Sequence, residues 1–261
     1  MDYEMRCIRT NVDEVLFETF HNETSLSQVN SHLFEESISS AFDNPFFMDR
    51  IHKKEIVDDV CGIKLRSNTD KNNVLLNTIH TRESIREFSC EEITLESFSN
   101  ILVHSYGKSE SGSYTIPSAG GAYPLTLILI IKNVKGILKG IYEYLPQNNT
   151  IKLIGSEESI EVNKITLNEY FFETCAFSVH LIGDPKLICY KYQDRGYRFM
   201  NIECGHLAQN LNLVAQYYGV ASVCSGGFLD GEFIDYLNNI TNGNYHNYVN
   251  LYEVFFGKKQ E

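Results

Sequence analysis

The chain is short of positive charge. Against 34 aspartates and glutamates stand 22 lysines and arginines, a formal net charge of −12 at pH 7 over 261 residues. A general nucleic-acid binder needs a basic surface, so that class is set aside. Long hydrophobic runs are also lacking. The longest, Leu125 to Ile131, contains Thr126 and falls far below the roughly 20 apolar residues a bilayer requires. The N-terminus is acidic and polar with no signal-peptide pattern, so a soluble cytoplasmic protein with no membrane partner is expected. The cysteines, at positions 7, 61, 90, 175, 189, 204 and 224, are odd in number and form no CxxC. They support neither a disulfide framework nor a zinc knuckle, and reduced thiols are expected. No HExxH spacing occurs among the histidines, so no metal site is expected. GxGxxG, internal repeats and low-complexity linkers are missing as well.

The remaining composition, 43 % hydrophobic and 21 % charged, suits one large globular domain with a substantial core. Residues 1 to about 75 hold polar and acidic stretches (23 to 28, 35 to 40) around apolar islands such as Phe46-Phe47-Met48. They read either as a helical extension that docks a partner or as packing around the main core. The main domain, 76 to 261, begins near Asn77. A helical spacing of Ile93, Leu95, Phe98, Ile101, Leu102 and Tyr106 predicts a helix within 91 to 106, with Gly107 as its stop. Leu125 to Ile131 predicts a buried strand. Gly140 to Tyr144 and Thr150 to Ile154 predict a hairpin around Pro146-Gln147-Asn148-Asn149, and Ala176 to Ile182 and Tyr248 to Phe256 predict two further strands. Gly196 to Tyr218 predicts a long helix whose apolar residues cover more than one stripe, hence burial on several sides. The absence of a regular βαβ alternation favours α+β over a doubly wound sheet.

Four segments carry candidate chemistry. In Arg82-Glu83-Ser84-Ile85-Arg86 the arginines are four apart, so a helical turn would put both on one face. Their forked guanidinium donors suit a phosphate, with Ser84 adding a hydroxyl. Lys258 or Lys259 would add charge if the chain ends meet. In Pro117-Ser118-Ala119-Gly120-Gly121-Ala122-Tyr123-Pro124 the two glycines permit a turn whose N–H groups approach a ligand, and Ser118 adds a donor. Lys191-Tyr192 opens a polar segment ahead of the long helix. A lysine of ordinary pKa, about 10.4, needs burial or nearby cations to act as a base. Neighbours on a strand point to opposite faces, so a shared site requires a loop or the start of a helix there. Glu203, His206 and Asn210 form a polar stripe that would line a site, line a subunit interface or serve a structural network.

In order and spacing these segments, together with Gly140-Ile141-Tyr142-Glu143-Tyr144 and Arg195-Gly196-Tyr197-Arg198…Gln209-Asn210, resemble the FMN-dependent nitroreductase-fold proteins. More specifically they resemble the SagB/McbC-type azoline dehydrogenases, over roughly residues 77 to 257. The resemblance implies a mainly antiparallel sheet flanked by helices, and a homodimer with a long buried interface helix and FMN at each interface. Arg82, Ser84 and Arg86 would hold the phosphate and ribityl. Pro117, Ser118, Ala119, Gly120 and Gly121 would lie near the isoalloxazine, with Ser225, Gly226 and Gly227 as a second flavin-side turn. Lys191 and Tyr192 would be the catalytic pair. The assignment of Lys258 to the phosphate rests on charge alone. The implied reaction oxidises thiazolines or oxazolines of a ribosomally made precursor peptide, a bacteriocin or toxin, to thiazoles or oxazoles, beside a cyclodehydratase complex and with oxygen as final acceptor. A general NAD(P)H-driven FMN reductase of nitro, quinone or enone compounds and a non-catalytic scaffold subunit are the alternatives.

Overall fold

The computed structural model describes residues 16–52 and 72–260. Cys7 and Cys61 lie outside them. Six strands form one sheet: β1 Leu125–Ile131, β2 Gly140–Leu145, β3 Thr150–Ser156, β4 Phe177–Gly183, β5 Ala221–Ser225 and β6 Val249–Gly257. Their order is β3-β2-β1-β4-β6-β5, and every neighbouring pair is antiparallel. Helices cover both faces, so the fold is α+β.

β1 and β4 occupy the middle and are buried nearly throughout, which explains their continuous apolar sequences. On one face lie α5 Leu95–Tyr106, α8 Pro185–Tyr192 and α9 Asp194–Tyr217, packed through Phe98, Leu102, Ile188, Leu207 and Leu211. On the other lie α6 Val162–Ile165, α7 Glu169–Thr174 and α10 Gly231–Thr241, packed through Ile165, Phe172, Phe233 and Leu237. Local chemistry sets the helix ends. Thr94 accepts the Ser97 N–H at the start of α5, and Asp184 accepts those of Lys186 and Leu187 at the start of α8, with Pro185 in the first turn.

Before the sheet come α1 Leu16–Thr24, α2 Ser31–Phe42, α3 Pro45–His52 and α4 Val74–Thr81. α1 is fastened to the main body: Phe17 stacks on Tyr197 of α9 at 5.6 Å, and His21 Nδ1 lies 2.9 Å from the Tyr197 hydroxyl. Leu26 and Asp230 exchange two hydrogen bonds just beyond. α2 buries no residue.

Two expectations are corrected. Arg82 to Arg86 is not a helical turn: α4 ends at Thr81, Arg82 is extended, and Ile85 N–H bonds to the Ser222 carbonyl of the edge strand β5. That edge offers backbone partners which draw the segment out of helix. Within the chain α9 is buried on one broad face only, through Met200, Cys204, Leu207, Leu211 and Ala215, whereas Ile202 and Tyr217 are half exposed or more. A single sheet face can cover only one side of a helix.

Candidate active site

Antiparallel register gathers three of the predicted segments toward one end of the sheet. Leu125 at the start of β1 pairs with Gly183 at the end of β4, which pairs with Val249 at the start of β6. The Pro117–Pro124 segment therefore enters the sheet beside the point where β4 leaves for α8. β5 runs toward the same end but stops at Ser225, which faces Glu253 at the middle of β6, so its following turn starts halfway along the sheet.

Lys191 and Tyr192 close α8 rather than sitting in a strand, so neighbouring side chains can share a target. Their target is Gly120. A β-carbon there would land on Lys191 Nζ and the Tyr192 hydroxyl, and Lys191 Nζ reaches the Gly120 carbonyl at 3.5 Å. Tyr192 is braced edge-on by Phe199, with ring centroids 5.1 Å apart. Backbone strain flanks the contact on both sides. Tyr123 is held at φ 47° and Gln193, immediately after the pair, at φ 51° and ψ −148°, a combination non-glycine residues seldom adopt. Gly120 and Gly121 sit at φ 59° and 67°.

Ser118 holds this turn from below. Its hydroxyl accepts the Tyr123 N–H at 2.9 Å and donates to Glu203 Oε2 at 2.5 Å. The hydroxyl hydrogen is thereby engaged inside the protein. Glu203 is buried, its Oε1 has no hydrogen-bond partner, and burial pushes its carboxyl up to about 7 despite the opposing effect of the serine bond. The polar stripe read from the sequence is thus divided. Glu203 faces inward, His206 outward, and the Asn210 amide reaches the Thr115 carbonyl at 3.5 Å.

The Ser225–Gly227 turn is held in a parallel way from the opposite face of the sheet. Asn168 Nδ2 lies 2.7 Å from each of Ser225 Oγ, the Gly227 carbonyl and Glu253 Oε1, which share its two hydrogens. Ser225 Oγ also accepts the Gly227 N–H at 2.9 Å. A side chain at Gly227 would strike the Asn168 amide. Glu253 is fully buried beside His180, its carboxyl pushed up to about 8 by burial and the imidazole pushed down to about 3 by the same cause. Burial favours the uncharged form of each, with Glu253 Oε2 and His180 Nδ1 4.0 Å apart and otherwise unpartnered.

Arg82, Ser84 and Arg86 lie at the other end of β5. Positions 82, 84 and 86 share a face in an extended chain. The contacts agree: Arg82 donates to Ser84 Oγ and Arg86 to the Ser84 carbonyl, both at 3.4 Å. Neither guanidinium is paired with a carboxylate among the described residues. The segment just after Arg86 meets the end of β6 here, since Phe88 pairs with Lys259 and Ser89 N–H bonds to the Lys258 carbonyl. Lys259 is committed to Glu83 at 2.8 Å, and Lys258 is half-buried nearby. From Ser222 to Ser225 the strand rises about 10 Å. Two unpaired arginines at one end of an edge strand and a glycine turn at the other suit an elongated phosphorylated ligand such as FMN.

Sequence reasoning missed Tyr123, Asn168, His180 and Glu253. A carboxylate inside the apolar strand Tyr248 to Phe256 was the available signal for Glu253; Asn168 offered none.

The sequence matches the Nitroreductase family over residues 79–249, well over half the chain, and the protein belongs to that family of flavin-dependent oxidoreductases. MJ1384 of Methanocaldococcus jannaschii, named as a nitroreductase, is 33 % identical over 158 residues, 60 % of this chain and 80 % of that protein. The microcin B17-processing protein McbC of Escherichia coli is 25 % identical over 162 residues, 56 % of this chain and 57 % of that protein. Among solved structures, the E. coli microcin synthetase McbBCD complex with truncated pro-MccB17 bound matches with a TM-score of 0.58 at 18 % identity, covering 93 % of this chain and 87 % of the matched chain. An Anabaena variabilis structure described as a nitroreductase gives a TM-score of 0.61 at 23 % identity; the match covers 71 % of this chain and 38 % of that one. At these identities the structures speak for the fold. No helix among the described residues is long and apolar enough to cross a membrane.

Proposed function

We propose that the protein is an FMN-dependent dehydrogenase that oxidises peptide-borne thiazolines or oxazolines to thiazoles or oxazoles during maturation of a ribosomally made peptide. The observation that carries this reading is the convergence of Lys191 and Tyr192 on Gly120 at the close of α8. A general nitro or quinone reductase has no need of such a pair, and the likeness to McbC points the same way. Arg82, Ser84 and Arg86 would hold the FMN phosphate and ribityl, with Lys258 adding charge, and the 117–121 and 225–227 turns would border the ring. When bound, FMN supplies the hydride acceptor that no side chain provides, with dioxygen as the terminal oxidant. The ring loses two hydrogens, one as a proton and one with the electron pair. Tyr192 Oη or Lys191 Nζ takes the proton from the ring carbon, and the turn below fixes where those atoms stand. Lys191 is exposed within the single chain and is a base only once bound flavin and the partner subunit cover it.

A homodimer with FMN at each subunit interface fits the half-exposed stripe of α9 and the exposed Val74 and Leu75 on α4. A cyclodehydratase complex would deliver the azoline peptide, with the N-terminal 75 residues docking partner or leader. The reading places the protein in the cytoplasm.

Aerobic incubation with an azoline-containing peptide tests this, read as loss of two hydrogens per ring by mass spectrometry. Lys191→Ala should keep FMN and lose azole formation; normal turnover in that variant removes the base role. The kinship with the archaeal nitroreductase-named protein supports a second reading, a general NAD(P)H-dependent reductase. Rapid bleaching of bound flavin by NADH, without azole formation, would favour it. A protein unable to bind flavin would instead be a scaffold subunit.

A further inference from the structure

The Lys-Tyr pair cannot be positioned by α8 alone, because its side-chain ends rest on a turn with an independent foundation. That turn holds three left-handed residues, Gly120, Gly121 and Tyr123, within four positions. Such a backbone persists only where its surroundings fix it. Two backbone bonds close it, Gly121 N–H to the Ser118 carbonyl and Ala122 N–H to that of Ala119. The side-chain atom that fixes it is Ser118 Oγ, and what holds that hydroxyl is Glu203 on α9. Glu203 is 2 % exposed, and one of its oxygens has no partner. A buried carboxyl with an orphan oxygen costs stability, which a serine-anchoring role in packing alone would not require.

We infer that Glu203 is a positioning residue that locks the glycine turn against Lys191 and Tyr192 through Ser118, and that the lock tightens when its carboxyl ionises. The ionised form accepts the Ser118 hydrogen in a charge-assisted bond, leaving the serine lone pairs for the Tyr123 N–H. Protonation weakens that bond and loosens the turn. The titratable groups facing Glu203 are the Tyr106 hydroxyl on α5 and the Cys204 thiol on its own helix, and burial pushes both well above their ordinary values. Neither carries charge near neutrality, so the titration there belongs to Glu203, whose carboxyl stands at about 7. The coupling belongs to the chain itself and holds whichever substrate the site takes.

The test is the reactivity of the Lys191 amine toward trinitrobenzenesulfonate in the full-length protein between pH 6 and 8.5, read by peptide mass spectrometry. Its rate is taken relative to that of Lys152, exposed on β3. In the native sequence the ratio should fall about fivefold through pH 7 as the turn closes on Lys191, the difference between a charge-assisted and a neutral hydrogen bond. Glu203→Gln and Ser118→Ala should each flatten the ratio, and the double variant should match the singles. A native ratio that stays flat, or an inflection that survives in either variant, overturns the inference. Should Glu203→Gln fail to fold, Ser118→Ala decides alone, since it cuts the link at a half-buried position while leaving α9 intact.

Discussion

Gly120 separates two effects that glycine substitutions normally mix. Gly120→Ala forces a side chain into φ 59°, a left-handed conformation that costs a non-glycine residue about 1–2 kcal/mol. In a chain of this size that lowers the melting temperature by about 2–8 °C. The new methyl also strikes Lys191 Nζ and the Tyr192 hydroxyl. Both are ends of flexible side chains, so the fold yields by moving them rather than by failing. A displacement near 1 Å in a reacting group costs about 100-fold in rate. Gly219→Ala is the control: it sits at φ 67° beyond the end of α9, and a β-carbon there meets nothing within 4 Å. The two variants should melt alike, by circular dichroism, and each is assayed with FMN at saturation. Only Gly120→Ala should lose azole formation by about 100-fold, measured as initial rate by mass spectrometry. Equal turnover in the two variants would refute the claim that the turn positions the pair.

Buried acids make the fold less stable in alkali. Glu253 stands at about 8 and Glu203 and Asp230 at about 7, all above the ordinary carboxyl range. The native state therefore keeps protons that the unfolded chain releases, and these acids lower stability as pH rises from about 4.5 through 8, opposed below about 6.5 by His180, which burial keeps neutral. Glu253→Gln cannot ionise and should melt higher than the native sequence at pH 8.5 while the gap closes toward pH 5; a gap independent of pH would show that Glu253 does not titrate this way. For the phosphate grip, Arg82→Ala and Arg86→Ala should each weaken FMN binding by about 10- to 100-fold in flavin fluorescence titrations, the worth of a charge-assisted hydrogen bond, with smaller losses in high salt. Unchanged affinity in both would move the phosphate elsewhere.

The middle of the sheet was legible because burial on both faces leaves long β-branched runs: Leu125–Ile131 coincides with β1 residue for residue. The hairpin and the last strand were read within two residues of their bounds. β5 escaped because Ala221-Ser222-Val223-Cys224-Ser225 is five residues of mostly small side chains with no alternation to detect. α8 was marked in the sequence by Asp184-Pro185, a cap followed by a first-turn proline, but the polar residues after it drew the reading toward a loop. The arginine pair was expected to share a face for a reason the structure replaces. A spacing of four lies close to one helical turn and is also an even number of strand steps, so sequence spacing alone cannot distinguish the two geometries.

What sequence could not convey is how the two glycine turns are held. Each hangs on a buried carboxyl group from a different face of the sheet: the 118–121 turn on Glu203 through Ser118, the 225–227 turn on Glu253 through Asn168. Each carboxyl keeps one oxygen without a partner. An apolar residue at either place would remove a desolvation cost, yet it could not reach a serine hydroxyl or an asparagine amide. Glycine gives these turns their shape but no side chain to anchor them, so the anchor must come from a distant element that accepts a hydrogen bond in an apolar setting. A carboxyl on the inner side of α9 or inside β6 does this from a buried position. The cost in stability is the physical counterpart of a fixed Lys191–Tyr192–Gly120 geometry, and it is the reason Glu203 and Glu253 stand in a core of otherwise ordinary hydrophobic composition.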